Sequence, residues 1–301
     1  MSEQNKQTGI AIVAPSGAPL DDSLIERGLQ CLTGQGFKVH SYYKSAAKFQ
    51  RFGGTDAERA RQMHEAAQNP DVQIIMALRG SYGMSRLLPL LDFDLLANSG
   101  KCFVGYSDFT LVHLAMLARG RTSIAGPMLC DDYIRAQPVE YTLQQFKACV
   151  SNTSHTVEFE TDASLEFKVQ GKLWGGNLAM LTHAIGTPYW TEVEDGILFL
   201  EDIGEHPYRI ERMLLQLHFA GVLSKQKAIV LGNFSAYKLA EHDNGYDFNA
   251  MLAYIRGLIE VPIITGLPFG HISTRASLVV GSQAELKVGT GQVSLNMYYS
   301  L

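Results

Sequence analysis

Within its first 126 residues the chain repeats one pattern, a short run of strand formers followed by a helical segment or a glycine-rich loop. The runs fall at residues 9–15, 37–43, 71–78, 102–106 and 122–126. Between them, Leu24, Ile25, Leu29 and Leu32 mark a helix over 22–33, stopped by Gly34 and Gly36. Thr55-Asp-Ala-Glu58 is a capping box opening a polar helix to about residue 69, and a further helix is expected over 84–97. Runs that are apolar throughout suit strands buried on both faces. The alternation therefore predicts a doubly wound parallel sheet with right-handed crossovers. Such sheets bind ligands beyond the carboxyl ends of their strands. Three loops lie there: Pro15-Ser-Gly17, Arg79-Gly-Ser-Tyr-Gly83 and the turn at Ser107.

The third loop is the most pointed. Cys102 to Tyr106 is a strand run, and from Asp108 onward Leu111, Leu114, Ala115 and Ala118 fall at helical spacing. Ser107 sits between them, where a sharp strand-to-helix turn exposes a side chain above the sheet edge. The free N–H groups of the helix start point at the same place. That geometry suits a nucleophilic serine with the Asp108 N–H as oxyanion donor. An ordinary serine N-cap is the competing reading.

The second half changes character. A helix over 141–150 gives way to the polar run Ser151-Asn-Thr-Ser-His155 and short alternating strands. The expected organisation is a doubly wound domain over 1–150, a linker over 151–170 and a mixed β/α domain over 171–301. In the last, glycines precede a helix in Leu173-Trp-Gly-Gly-Asn-Leu-Ala-Met180, a strand over 196–202 ends in two acids, and Pro207 opens a helix. Three short strands separated by glycines close the chain over 276–299.

The totals narrow the function. Of 301 residues, 46% are hydrophobic and 18% charged, a composition that buries a sizeable core. The net charge of -5, without a basic patch, argues against nucleic acid or an anionic membrane as partner. No apolar run approaches the roughly 20 residues needed to span a bilayer. The polar N-terminus lacks a signal sequence, so a cytoplasmic protein is expected. The four cysteines have no CxxC spacing, which speaks against a metal site or a disulfide framework.

A serine nucleophile needs a base, and the base an orienting acceptor. Among nine histidines, His271 stands out: it follows Gly270 on a loop after the strand over 263–267. The acids at a strand end are Glu201 and Asp202, with Glu205 next along. A carboxylate there needs a partner, either an imidazole N–H or Arg209 or Arg212 on the following helix.

Taken together, these stretches resemble the LD-carboxypeptidase (muramoyltetrapeptide carboxypeptidase) family, whose relatives include the microcin C immunity peptidases. The resemblance rests on Ala14-Pro-Ser-Gly17, Arg79-Gly-Ser-Tyr-Gly83 with Ser85-Arg-Leu-Leu88, Gly105-Tyr-Ser-Asp-Phe109, Gly126-Pro-Met-Leu129, Leu173 to Met180, Leu200-Glu-Asp-Ile203 with Glu205-His-Pro207, and Gly270-His271. It implies a flavodoxin-like sheet followed by a smaller mixed β/α domain, with the site in the groove between them. It also implies a serine carboxypeptidase that releases the terminal D-alanine of murein tetrapeptide in peptidoglycan recycling. Ser107 would be the nucleophile, His271 the general base and Glu201 its orienting acid. Oxyanion donors are expected from Asp108 and from Gly80 or Ser81. Ser81 departs from the family's usual glycine, and a positive φ there would be strained. Arg79 is the candidate for the substrate carboxylate, with Trp174 and Asn177 as further substrate-binding candidates. No cofactor and no metal are expected, and relatives suggest a homodimer. Two other readings are hydrolysis of peptidyl or aminoacyl adenylates, favoured by a base-stacking aromatic such as Trp174 or Trp190, and a non-catalytic small-molecule binding protein.

Overall fold

A computed structural model describes residues 7–301. The first six residues, part of the polar N-terminus from which a missing signal sequence was read, lie outside the described residues. The first five strands are β1 (Gly9–Val13), β2 (Lys38–Ser41), β3 (Ile74–Ala77), β4 (Cys102–Gly105) and β5 (Ser123–Ala125). They pair in parallel in the order β5-β4-β3-β1-β2, the flavodoxin-like arrangement. β1, β3, β4 and β5 are buried at every position, as their unbroken apolar runs require.

The helices between them are α1 (Ile25–Gly34), α2 (Asp56–Gln68), α3 (Met84–Leu87), α4 (Phe93–Asn98) and α5 (Thr110–Leu117). The Thr55 hydroxyl caps α2 by accepting from the Glu58 N–H at 3.2 Å. The single helix expected over 84–97 is instead two short ones, α3 and α4. Pro89 cannot continue a helix, and the Asp92 carboxylate restarts one by accepting from the Leu95 N–H at 2.9 Å.

α6 (Glu140–Ser151) leads to the second sheet, formed by β6 (Ser154–Glu160), β7 (Phe167–Asn177), β8 (Gly196–Ile203), β9 (Gln226–Ser235) and β10 (Ile263–Ile264), with β12 (Gln283–Gly289) and β13 (Gln292–Tyr298). Its order is β10-β9-β8-β7-β12-β13-β6. β7 joins two regimes: residues 167–172 pair antiparallel with β12, and 173–177 pair parallel with β8. The burial follows the pairing, alternating in the first part and complete from Leu173 to Asn177. α7 (Leu178–Ala184), α8 (Pro207–Phe219) and α9 (Phe248–Leu258) accompany this sheet.

Two expectations about organisation need correcting. The stretch 151–170, expected as a linker, carries β6 and the start of β7 inside the second sheet; its alternating apolar residues are paid for by pairing. And β11 (Leu278–Val280), in the range expected to belong wholly to the second half, crosses to the first sheet and pairs antiparallel with β5. A run of three apolar residues carries no information about which open edge it will cover.

The halves also meet beneath the serine turn. The Asn177 N–H donates to the Thr110 hydroxyl at 3.0 Å. A Cβ on Gly176, whose φ is +142°, would lie 2.5 Å from that hydroxyl. Gly176 is thus where α5 docks against β7, and no other residue fits there. Among the described residues no helix is long and apolar enough to cross a membrane, and no His, Cys, Asp or Glu cluster could hold a metal ion.

Candidate active site

β4 ends at Gly105, where a Cβ would lie 2.8 Å from the Phe109 ring and only glycine lets that ring pack so close. The chain then turns so sharply that Ser107 takes a φ of +62°. A non-glycine residue in that region is uncommon, and where the surroundings enforce it the strain marks a functional position. Asp108 fastens the turn. Its buried carboxylate accepts from the Ser16 hydroxyl at 2.6 Å and the Met84 N–H at 2.8 Å. Burial pushes this carboxyl above its usual range, and those two hydrogen bonds oppose the rise. One side chain therefore ties together all three loops expected at the strand ends. Arg59, fully buried, braces two of them by donating to the carbonyls of Pro15 and Gly83.

The loop after β3 comes within contact of the serine. A Cβ on Gly80 would lie 3.0 Å from the Ser107 Cβ and 3.1 Å from its Oγ. The next residue, Ser81, has a φ of +78°, so the strained backbone expected at the serine-for-glycine position is present. Its hydroxyl accepts from the Arg51 guanidinium at 2.7 Å.

His271 enters from the other half, on the loop after β10. Its Nε2 lies 3.0 Å from Ser107 Oγ, and its Nδ1 lies 2.7 Å from Glu201 Oε2. A carboxylate only accepts, so the Nδ1 next to it carries the proton and Nε2 is left to accept from the serine hydroxyl. Burial pushes the imidazole pKa down. The hydrogen bond and charge of Glu201, aided by Asp131, outweigh this and hold it above the ordinary histidine value. The close approach depends on Gly270 (φ +127°), where a Cβ would lie 3.1 Å from Glu201 Oε2. Such an array can pass a proton from a hydroxyl to an imidazole and stabilise the resulting imidazolium.

Glu201 is fully buried on β8. Its other oxygen accepts from the Asn177 amide at 3.1 Å. That amide also donates to Asp202 at 3.0 Å, while the Asn177 carbonyl caps α7 by accepting from the Met180 N–H. Asn177, considered for substrate binding, is therefore occupied in positioning the two acids. Asp202 accepts from the N–H groups of Ala179 and Ile203. Burial, then the neighbouring Glu201 charge, push its pKa up to about 6. Trp174, the other substrate-binding candidate, is fully buried and donates to Gln226 at 2.8 Å. It does not reach the cleft, because the β7 segment that carries it is buried throughout. Neither arginine considered for the acids takes them: Arg209 lies 3.7 Å from Glu205 instead.

The most telling residue missed from sequence is Arg275. It is almost wholly buried, donates to Asp132 at 2.5 Å, to the carbonyls of Gly270 and Ile272, and to the Tyr106 hydroxyl, and lies 3.9 Å over the Tyr106 ring. It thus pins the His271 loop to the first sheet. Burial pushes the Asp132 carboxyl up to about 6, against the pull of Arg275. The only hint in the sequence was an arginine four residues beyond His271.

Arg79, residues 80 and 81, Ser107, Met128, Asp131, Ile203 and His271 line an open cleft of about 270 Å³. Among the described residues, neither the Gly80 nor the Ser81 N–H is taken up by another group of the protein, and the Asp108 N–H lies in the first turn of a helix, where it has no intrahelical partner.

The chain was compared with known proteins. Residues 10–126 match the model of the LD-carboxypeptidase N-terminal domain, and residues 170–286 that of the C-terminal domain. A probable murein peptide carboxypeptidase of Bacillus subtilis is 30% identical, over 94% of this chain and 89% of that protein. The microcin C7 self-immunity protein MccF of Escherichia coli is 27% identical, over 91% of this chain and 88% of its own. The crystal structure of a muramoyltetrapeptide carboxypeptidase from Oxalobacter formigenes superposes with a TM-score of 0.93 at 47% identity, covering 97% of this chain and 100% of the other.

Proposed function

Because the chain belongs to the LD-carboxypeptidase family, we propose that it is a serine carboxypeptidase that removes the terminal D-alanine from murein tetrapeptide. The observation that carries the reading is the line from Glu201 to His271 to Ser107, at 2.7 and 3.0 Å, assembled from the two halves of the chain.

In this reading Ser107 Oγ attacks the carbonyl of the diamino acid that precedes D-alanine, and its proton passes to His271 Nε2. Glu201 holds the Nδ1–H tautomer and stabilises the imidazolium. The oxyanion is received by the Asp108 N–H together with that of Gly80 or Ser81. Each such donor is worth roughly 3 kcal/mol in enzymes where one has been removed. His271 then returns the proton to the amine of the departing D-alanine as the C–N bond breaks. Water, deprotonated by the same imidazole, cleaves the acyl ester and regenerates the hydroxyl. Arg79, on the cleft wall, is placed to receive the free carboxylate of the substrate. The four cysteines are free thiols, in keeping with work in the cytoplasm on recycled wall fragments, and a homodimer is the assembly proposed.

The peptide reading is preferred to adenylate hydrolysis because, among the described residues, none of those lining the cleft is a tryptophan, tyrosine or phenylalanine on which a base could stack. Trp190 packs instead on Trp174, at 5.8 Å between ring centroids. Incubation with murein tetrapeptide should release free D-alanine, and Ser107→Ala should abolish the release. D-alanine formation by that variant at the wild-type rate would remove the serine from the mechanism.

A further inference from the structure

The cleft is flanked by opposite charges, and the sheet order explains how. β4, which carries Ser107, lies between β3 and β5. The loop after β3 therefore brings Arg79 to one side of the serine, and the loop after β5 brings Asp131 to the other; both line the cleft. No ion pair joins the two among the described residues. Arg79 is steadied by donating to the Ala18 carbonyl at 2.8 Å.

Asp131 is half-buried and oriented. Its Oδ2 accepts from the Tyr106 hydroxyl at 2.8 Å, and that hydroxyl in turn accepts from Arg275 at 2.9 Å. Arg275 itself is committed to Asp132, so it does not neutralise Asp131 by a direct ion pair. The remaining oxygen, Oδ1, accepts no hydrogen bond among the described residues, and the residue lines the cleft. For the chemistry alone this acid is a handicap. It favours the protonated imidazole of His271 before reaction and repels the negative charge that develops at the substrate carbonyl. An anion held in such a place, by a tyrosine that is itself held, calls for a cation on the ligand.

Resting on the carboxypeptidase reading above, we infer that Asp131 is a specificity-determining residue. It receives the side-chain ammonium of the diamino acid whose carbonyl is attacked, opposite Arg79, which takes the terminal carboxylate. The preferred substrates are then peptides with a free amine on the side chain before D-alanine. A substrate of the right length but with a neutral side chain leaves the Asp131 carboxylate without its partner.

The test compares two synthetic tetrapeptides, one with L-lysine and one with Nε-acetyl-L-lysine before the terminal D-alanine. Release of D-alanine is read as kcat/KM for each. Wild type should prefer the lysine peptide by about 10- to 100-fold, the usual worth of a hydrogen bond to a charged group. In Asp131→Asn that ratio should fall close to one. Any change in the His271 titration alters both peptides alike and cancels in the ratio. An unchanged ratio in the variant, or a wild type indifferent to acetylation, overturns the assignment of Asp131 while leaving the peptidase intact. Wild type that cleaves murein tetrapeptide but neither synthetic peptide overturns the Asp131 assignment alone, and wild type that releases D-alanine from none of the three overturns both. The wild-type comparison needs no variant, so it stands even if Asp131→Asn folds poorly.

Discussion

On the Ser107 side of the cleft, the reacting positions are set largely by backbone and by the lack of side chains, above loops braced by Asp108 and Arg59: Ser107 and Ser81 are held at φ of +62° and +78°, and Gly80 and Gly105 stand where a Cβ would collide. On the His271 side, positions are enforced mainly by buried polar groups. Glu201, Asn177, Asp202, Arg275 and Asp132 are all nearly inaccessible and hydrogen-bonded to one another or to the His271 loop. A shape-determined wall faces a charge-determined one. Backbone faults in the first should act through geometry and leave titration alone. Faults in the second should change how the site responds to pH, or how firmly the chain folds.

The sharpest way to break this contrast is Glu201→Gln. The side chain keeps its size, but the wrong imidazole tautomer is favoured, and turnover should fall by about 10⁴-fold. The sign of the pH effect follows from the causes of the His271 shift. His271 must be neutral to accept the serine proton, so wild-type kcat/KM should rise with pH through a value above the ordinary histidine pKa of about 6.5. Removing the Glu201 charge leaves burial, the largest influence, and Arg275 pushing the imidazole down, with only Asp131 opposing them. The acidic limb of the variant should therefore move to lower pH, and an unmoved limb would contradict the electrostatic account. Next in size is Arg275→Met, which strands the buried Asp132 carboxylate and frees the His271 loop. A loss of about 3–5 kcal/mol in urea unfolding is expected.

On the opposite wall the expected effects are smaller and of another kind. Gly80→Ala presses a methyl group onto Ser107 and should lower kcat by about 10²-fold, the scale of a small misplacement of reacting groups. The acidic limb should stay where it is. Smallest is the pair at Ser81. Ser81→Ala loses the Arg51 contact and keeps the strained φ, whereas Ser81→Gly relieves the strain at some cost in chain entropy. The glycine variant should be the more stable of the two by about 0.5–1 kcal/mol in thermal unfolding.

The same contrast separates what could be read in the sequence from what could not. The strand runs announce the first sheet because burial on both faces leaves an apolar signature. The Ser107 turn is legible because a glycine, a strand end and a helix start coincide there. Glu201 and His271 are visible as polar residues at strand ends, although the choice among neighbouring acids came from the family resemblance. Arg275 and Asp132 were not legible, since a lone arginine or aspartate in a loop looks the same whether solvated or paired in the interior. Trp174 and Asn177 were misread for a related reason. Their types suit ligand contact, and only tertiary packing shows that a glutamine and two carboxylates already occupy them. The sheet to which β11 belongs was equally hidden, because strand pairing at long separation leaves no local mark.

That returning strand has a mechanical consequence. The chain passes from the first sheet to the second after residue 150 and comes back before residue 281 to finish the first sheet's edge. It leaves again at once for β12, so three connections cross between the layers, and the second of them carries the histidine loop. A jaw sewn at three points resists swinging wide, which favours passage of substrate and product through the open mouth by small movements of its rim. Cutting the gene between the halves would expose the flank of β5 as an unsatisfied ladder, a template for clumping rather than a free-standing module.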